Sequence, residues 1–188
     1  DVINTAAHTY SAIPMTASGA IALTPDEAFA YVTGRFSANL HVLNLTTNTL
    51  VTGAGFPITV GFNPLAVAIS PGGFAYVANS SDGTVSVVNT ATNTVVATIP
   101  VGTNPQSIAV NPAGTLVYVA NSGSNTVSVI DTATNAVVGA PIAVGNHPYG
   151  VSVSPGGNLI YVANQFENTV SVIAELTRAA QGPGIPVG

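Results

Sequence analysis

The chain lacks several residue types on which common protein functions depend. It has no cysteine, no tryptophan and no lysine, and Arg35 and Arg178 are its only strongly basic residues. Without cysteine, neither a disulfide framework nor a thiolate metal site can form. Charged residues make up 5% of the 188 residues and the formal net charge is −5. Because nucleic acids and anionic membranes are bound through basic patches, this composition argues against a nucleic-acid partner.

Long apolar runs and catalytic motifs are missing as well. No stretch approaches the roughly 20 apolar residues that span a bilayer, so we expect no membrane insertion. No Ser-His-Asp arrangement and no His/Asp/Glu cluster with metal-ligand spacing can be assembled. The glycine-rich turns precede no helix, so they do not form a phosphate cradle. The sequence predicts no catalytic residue, no metal site, no cofactor and no enzymatic activity.

One short motif recurs four times along the chain. The copies start 45, 42 and 43 residues apart and are Tyr31-Val32-Thr33-Gly34, Tyr76-Val77-Ala78-Asn79, Tyr118-Val119-Ala120-Asn121 and Tyr161-Val162-Ala163-Asn164. A period of about 40–45 residues built from short strands is typical of the blades of a β-propeller. Each such unit cannot bury both of its faces alone, so it must stack on a neighbour.

The second repeat shows the internal pattern of a blade most clearly. β-Branched residues fill four short runs, and Gly, Pro, Asn and Asp fill the breaks between them, as strands and turns require. The runs are residues 65–69, 74–78, 84–88 and 94–99. We therefore predict an all-β propeller of about four four-stranded antiparallel blades. The predicted blades are residues 18–60, 64–101, 105–144 and 148–173.

The two ends of the chain suggest how the last blade is completed. That repeat stops after three strands, while residues 2–14 align with the outer part of the third repeat. We therefore expect the N-terminal strand, from the same chain or a neighbouring one, to complete the last blade, since this removes an exposed edge. The propeller region then spans residues 1–176, and residues 177–188 form a linker or tail. The start at Asp1 suggests a processed piece of a longer precursor.

The number of repeats does not decide how the propeller ring is closed. The chain is compatible with a four-bladed ring, with two chains sharing strands in an eight-bladed ring, or with a fragment of a larger propeller. Exposed strand edges are a liability, so we expect either internal closure or pairing with another copy.

The repeat strings resemble a known family. Residues 121–135 read Asn-Ser-Gly-Ser-Asn-Thr-Val-Ser-Val-Ile-Asp-Thr-Ala-Thr-Asn, and Val-Gly-x-x-Pro strings link the repeats. Together with the Tyr-Val-Ala-Asn motifs, they resemble the YVTN-type β-propeller repeat family over about residues 18–173. The resemblance implies an exported bacterial or archaeal protein of the cell surface or surface layer, with seven blades in many members. Related propellers include lactonase-like and redox enzymes, so the scaffold alone does not fix the function.

Candidate binding residues lie where one loop differs from its siblings. In a propeller, the loops between the second and third strands share one end of the blades with the loops that connect successive blades, and binding residues often lie on such loops. The larger or charged residues expected on that end are Arg35, Phe36, His147, Tyr149, Phe166 and Glu167. A purely structural interpretation is that the charges are solvated, the phenylalanines cover blade ends and His147 replaces a turn Asn. The four repeated tyrosines are expected to be structural.

The sequence as a whole favours a non-enzymatic extracellular propeller. We expect a structural, adhesive or protein-interaction module of a surface or filament protein, located outside a prokaryotic cell. Its partners would be other protein subunits or copies of itself, with a glycan as a further candidate. Two alternatives stay open: a glycan- or peptide-binding module, and a fragment of a lactonase-like or redox-associated propeller enzyme whose site would join Arg35, His147 and Glu167.

Overall fold

A computed structural model of the chain describes residues 2–4, 9–15, 18–176 and 179–187. Every regular element within these residues is a β-strand, which confirms the all-β prediction. No helix in this part of the chain is long and apolar enough to cross a membrane.

The described strands form a short hairpin followed by four larger antiparallel sheets, here called blades 1 to 4. The hairpin consists of β1 (Val2–Asn4) and β2 (Thr9–Ser11). Blade 1 consists of β3 (Ser18–Leu23), β4 (Phe29–Gly34), β5 (Asn39–Asn44), β6 (Thr49–Leu50) and β7 (Ile58–Thr59). Blade 2 consists of β8 (Pro64–Ile69), β9 (Phe74–Asn79), β10 (Thr84–Asn89) and β11 (Thr94–Pro100).

The third and fourth blades follow the same plan. Blade 3 consists of β12 (Pro105–Val110), β13 (Leu116–Asn121), β14 (Thr126–Asp131), β15 (Ala136–Val137) and β16 (Ile142–Ala143). Blade 4 consists of β17 (Pro148–Val153), β18 (Leu159–Asn164), β19 (Thr169–Ala174), β20 (Ala179–Ala180) and β21 (Ile185–Pro186). The strands of the second repeat agree with the sequence prediction to within one residue at each end, which confirms the four-stranded meander.

The outer position of a blade is filled in two ways. In blade 2 it is one continuous strand, β11. In the other three blades two short strands pair with the same third strand, because a segment containing Gly and Pro interrupts the run between them.

The prediction that the N-terminal strand completes the last blade is wrong. β1 and β2 pair with each other, with Val2 opposite Ser11. The outer position of blade 4 is filled by β20 and β21, both paired with β19. Residues 179–187 are therefore part of the blade and not a linker or tail. A segment that follows β19 closely closes a much shorter loop than the N-terminus would, so its loop-closure entropy cost is smaller. Thr177, Arg178 and Gly188 lie outside the described residues.

Neighbouring blades are held together by apolar cores that lie between their faces. The core between blades 1 and 2 combines Tyr31, Leu40 and Val42 with Val77 and Val88. Equivalent cores join blade 2 to blade 3 and blade 3 to blade 4. Within the described residues no such core joins blade 4 to blade 1, and the main contacts between inner strands run in the order β3, β8, β12, β17. The four blades therefore form an open arc and not a closed four-bladed ring.

The repeated tyrosine has a structural role between blades, as the sequence predicts. Tyr31, Tyr76 and Tyr118 are at most 1% exposed and belong to the cores facing the following blade. The Tyr31 hydroxyl lies 3.2 Å from the Thr90 carbonyl oxygen and 2.5 Å from Asn93 Oδ1, both in the outer turn of blade 2. Tyr31 therefore anchors blade 1 to the outer turn of blade 2.

Candidate functional site

Loops at one end of the blades form a rim that we call the loop face. It consists of residues 34–38, 79–83, 121–125 and 164–168, together with the connecting loops before β8, β12 and β17. The two kinds of loop are tied by the same backbone bond in three blades, in which the N–H groups of Ser80, Ser122 and Gln165 donate to the carbonyls of Asn63, Asn104 and His147 at 3.0 Å. The scaffold therefore fixes the two kinds of loop to each other through backbone hydrogen bonds.

His147 occupies the turn position that Asn occupies in the sibling loops. Asn63, Asn104 and His147 all have left-handed φ values, of 55°, 50° and 56°. Asn tolerates this conformation better than most residues, so the sibling loops use the expected residue type. The interpretation of His147 as a substitute for a turn Asn is consistent with this geometry, but its ring adds a contact that the siblings do not make.

The rings of His147 and Phe166 form a parallel stack. Their centroids are 4.1 Å apart and their planes differ by 7°, and the Tyr149 ring lies 6.4 Å from His147. Phe166 and Tyr149 are both more than half exposed. The corresponding positions in blade 2 are Asn63, Ser81 and Leu65, so blade 4 differs from it at all three. The outcome is an exposed aromatic platform at one end of the arc.

Glu167 lies next to this platform on the same loop. A Cβ atom on Gly145 would come within 2.5 Å of the Glu167 Oε2 atom and of Asn164 Nδ2, so this carboxylate packs against the glycine backbone of the connecting loop. The carboxylate is thus held against the connecting loop two residues before His147.

Blade 1 carries the second group of candidate residues. The Arg35 guanidinium lies 5.0 Å from the centroid of the Phe36 ring, a cation–π distance. Phe36 is 70% exposed and has a left-handed φ of 62°, and its N–H donates to Asn63 Oδ1 at 3.2 Å. In the sibling loops the left-handed residue comes two positions later and is Gly83, Asn125 or Asn168. A bulky residue in this conformation costs about 1–3 kcal/mol, and such strain is common at functional sites.

Sequence comparison of the loops missed Phe62. It precedes Asn63 in the connecting loop to blade 2, is about half exposed, and its N–H donates to Asp82 Oδ2 at 2.8 Å. The same comparison could have found Phe62, because the equivalent residue is Thr103 in blade 3 and Asn146 in blade 4. Together with Phe36, it places exposed aromatic surface at the blade 1 end of the loop face as well.

The structure does not assemble the six candidates into one pocket. Arg35 and Phe36 belong to blade 1, and His147, Tyr149, Phe166 and Glu167 belong to blade 4. Two blades stand between these groups, and blades 1 and 4 share no core in the described part of the chain. The hypothesis that Arg35, His147 and Glu167 meet at a channel mouth therefore has no geometric support within this arc.

The Asn at the end of each Tyr-Val-Ala-Asn motif is structural. The Asn79, Asn121 and Asn164 side chains are buried, and each amide donates to a Ser hydroxyl of the following strand at 2.9–3.0 Å. These bonds fix the start of the loop. Among the described residues, no group of three or more His, Asp or Glu side chains is arranged to hold a metal ion.

Comparison with known protein families identifies the class of this chain. It matches the family of YNCE-like β-propellers over residues 38–173, and it therefore belongs to that family. The match confirms a β-propeller repeat protein. It does not reach the narrower YVTN-type or surface-layer assignment, which stays a prediction.

Individual relatives resemble parts of the chain or its fold. A PE-PGRS family protein of Mycobacterium tuberculosis, PE_PGRS18, is 51% identical over 50 residues, which are 27% of this chain and 11% of the relative. The hydrazine synthase of Kuenenia stuttgartiensis superposes with a TM-score of 0.80 at 25% identity, over 93% of this chain and 50% of that one. A functionally unknown protein from Desulfotomaculum acetoxidans superposes with a TM-score of 0.75 at 23% identity, over 93% and 59% of the two chains. The chain thus spans about half the length of these solved structures and a small part of the curated relative.

Proposed function

We propose that the chain is a non-enzymatic protein-interaction module that binds its partner through the loop face. The observation that carries this proposal is Phe36, an exposed aromatic residue in a strained left-handed conformation. Gly or Asn would adopt this conformation with less strain, and the sibling loops use these residue types where they adopt it. A contact between the exposed Phe36 ring and a partner would explain why a strained residue occupies this position.

The rest of the loop face supports binding through apolar and hydrogen-bonding contacts. Phe62 accompanies Phe36 at one end, and the His147–Phe166 stack with Tyr149 lies at the other. Aromatic residues are enriched at interface hot spots. With 5% charged residues, electrostatic steering is weak, so the proposed binding should depend little on salt.

The proposed setting is the outside of a prokaryotic cell, where the chain would act as a structural or adhesive part of a surface or filament protein. The scarcity of charge and the abundance of Thr, Ser and Asn in the turns support this placement. A secretion assay in the native host tests it, and retention of the protein in the cytoplasm would contradict it.

A displayed random-peptide library is a direct probe of the loop face. We expect peptides enriched on the wild-type chain to lose binding when Phe36 and Phe166 are replaced together, Phe36→Asn with Phe166→Ser. The matched control is Val96→Ser, which removes an exposed apolar side chain from the outer strand of blade 2. Undiminished binding by the double variant, with its melting temperature unchanged, would exclude this face.

A neutral glycan is the second candidate ligand, favoured by the His147–Phe166–Tyr149 platform. Flat aromatic surfaces with a neighbouring carboxylate suit the apolar faces and hydroxyl groups of sugars. A panel of neutral oligosaccharides separates the two candidates, since binding that requires Tyr149 and Phe166 but not Phe36 would favour the glycan. Efficient hydrolysis of lactones by the purified chain would contradict the non-enzymatic proposal itself.

A further inference from the structure

Two exposed phenylalanines lie on neighbouring loops where blades 1 and 2 meet at the loop face. Asn63 joins the two loops, because its N–H donates to the Ser37 carbonyl at 2.7 Å and its Oδ1 accepts from the Phe36 N–H at 3.2 Å. Phe62, the residue before Asn63, is 51% exposed, and Phe36 is 70% exposed. The bonds at Asn63 thus hold the two backbones together, while both rings stay at the surface.

Arg35 adds a positive charge next to these rings. Its guanidinium lies 5.0 Å from the centroid of the Phe36 ring, and its side chain is exposed. Arg35 is the only strongly basic residue in the described part of a chain whose formal net charge is −5. Within that part, no carboxylate forms an ion pair with it. We call Arg35, Phe36 and Phe62 the blade 1 patch.

The backbone donors of the two phenylalanines are already occupied. The Phe36 N–H donates to Asn63 Oδ1, and the Phe62 N–H donates to Asp82 Oδ2 at 2.8 Å. A terminal carboxylate is commonly captured by free backbone N–H groups, and neither of these two is free. The Arg35 guanidinium is therefore the donor that the blade 1 patch presents to an anion. Its planar fork matches a single carboxylate, whereas phosphorylated motifs are bound by clusters of arginines.

The sibling loops do not combine a base with exposed rings. The residues equivalent to Arg35 are uncharged, and they are Ser80, Ser122 and Gln165. In blade 4 the aromatic residue of the loop is kept as Phe166, but the charged residue of that loop is the acidic Glu167. The two aromatic ends of the loop face therefore carry opposite charges, and an anionic partner is favoured only at the blade 1 end.

We infer that the blade 1 patch binds a peptide segment in which an aspartate or glutamate stands next to an apolar residue. The carboxylate pairs with Arg35, and the apolar side chain packs on Phe36 and Phe62. Charge complementarity selects this partner, because Arg35 is an unpaired cation beside exposed apolar surface. Arginine and aromatic residues are also the types enriched at interface hot spots. The inference rests on the proposed function and names the chemistry of its partner.

The peptides that a displayed library enriches on the wild-type chain test the inference. We expect an acidic residue beside an aromatic or aliphatic one in most of them. Arg35→Gln should weaken binding of such a peptide about 5-fold, as loss of one partly exposed ion pair does. Arg178→Gln removes the other strong base of the chain and should leave binding unchanged. Peptides that require Phe36 but lack an acidic residue would overturn the inference and leave the proposed function standing, whereas no enrichment would overturn both.

A double-mutant cycle tests whether the peptide carboxylate meets Arg35. Replacing the acidic residue of the peptide by its amide should weaken binding to the wild type about 5-fold, with almost no further loss on the Arg35→Gln variant. Additive losses would mean that the two groups do not interact, which overturns the inference, and a merely structural role of Arg35 gives this result. Amidation of the peptide C-terminus should change nothing, and a loss on amidation alone would overturn the inference in favour of a terminal carboxylate.

Two matched aromatic substitutions test where the peptide lies. Phe62→Ser should weaken the same peptide about 10-fold or more, as loss of an aromatic hot-spot residue does. Tyr149→Ser should have no effect, although Tyr149 is 53% exposed on the same loop face and Phe62 is 51% exposed. Weakening by Tyr149→Ser and not by Phe62→Ser would place the peptide on the aromatic platform of blade 4 and overturn the inference. Thermal melting verifies that each variant folds.

Discussion

Blades 3 and 4 carry nearly the same strands but bury them differently. All six residues of β13 are buried, whereas in β18 buried and exposed residues alternate after Leu159. The residues of β18 that face blade 3 are as buried as their equivalents, and those on the other side are exposed. The repeat sequence is therefore sufficient to form the sheet of a blade, whereas burial of the second face of that sheet depends on a neighbouring blade.

The largest expected difference in unfolding free energy is between a repeated tyrosine buried between two blades and the one on the exposed side of blade 4. Tyr76→Ala should lower the free energy of unfolding by about 3–5 kcal/mol, because it opens a cavity in the core between blades 2 and 3. Tyr161→Ala should cost about 1 kcal/mol in dilute solution, since its side chain is already partly hydrated. Urea titration followed by circular dichroism measures both. Equal costs would contradict the open end of blade 4.

For a second pair of substitutions, in blades 3 and 4, we expect equal losses of unfolding free energy. Ile130 in blade 3 and Ile173 in blade 4 are equivalent, and both are fully buried on the side facing the preceding blade. Ile130→Val and Ile173→Val should therefore each cost about 1 kcal/mol of unfolding free energy. A much smaller cost at Ile173 would show that blade 4 is loosely packed throughout and not only on its exposed side.

The hydroxyl of Tyr31 gives a smaller effect with a pH signature. Tyr31→Phe removes the bond to the outer turn of blade 2 and should cost about 1 kcal/mol. Burial, and secondarily the charge of Asp26, raises the pKa of Tyr31 from 10.0 to about 12. The unfolded chain loses this proton first, so the stability that the neutral phenol contributes is lost as the pH rises from 10 to 12.

The Tyr31→Phe variant should therefore lose stability less steeply between pH 10 and pH 12 than the wild type does. Urea titrations at several alkaline pH values measure this slope. An unchanged slope would mean that Tyr31 is not protected from solvent in the folded chain. Tyr161→Phe is the control, and in dilute solution we expect almost no change in stability from it.

The smallest effect is expected at the strained loop residue. Phe36→Gly relieves a left-handed φ of 62° and should leave stability unchanged or raise it by up to about 1 kcal/mol. Asn168→Ala, at a left-handed position of the sibling loop in blade 4, should instead lower stability by about 1 kcal/mol. Thermal melting distinguishes the two, and a marked loss at Phe36 would show that its ring is a structural cover.

Much of the fold could be predicted because the same pattern of strands and turns occurs four times in the sequence. Alternating β-branched residues and regularly spaced Gly, Pro and Asn turns fixed the second blade to within one residue per strand end. The outer strand of blade 4 was missed because Ala179–Ala180 and Ile185–Pro186 are short, split by Gly and Pro, and unlike the continuous β11. Strand propensity alone does not identify two-residue strands.

The candidate site could be predicted only in part. Comparing sibling loops found the residues of the loop face, since a departure such as Phe166 is visible in the letters alone. The stacking of His147 on Phe166 depends on ring orientation, and the strain at Phe36 depends on a φ value, so neither could be derived from residue type. The separation of Arg35 from His147 follows from the open arc, which is a property of how the blades meet.

Tyrosine reactivity in dilute solution tests the open arc most directly. Hydroxyl-radical footprinting with mass spectrometry resolves each tyrosine in one experiment. We predict strong labelling of Tyr161 at low concentration, with Tyr31, Tyr76 and Tyr118 protected. Protection of Tyr161 equal to that of the other three at the lowest concentration would mean that its face is covered within a single chain, and would contradict the account.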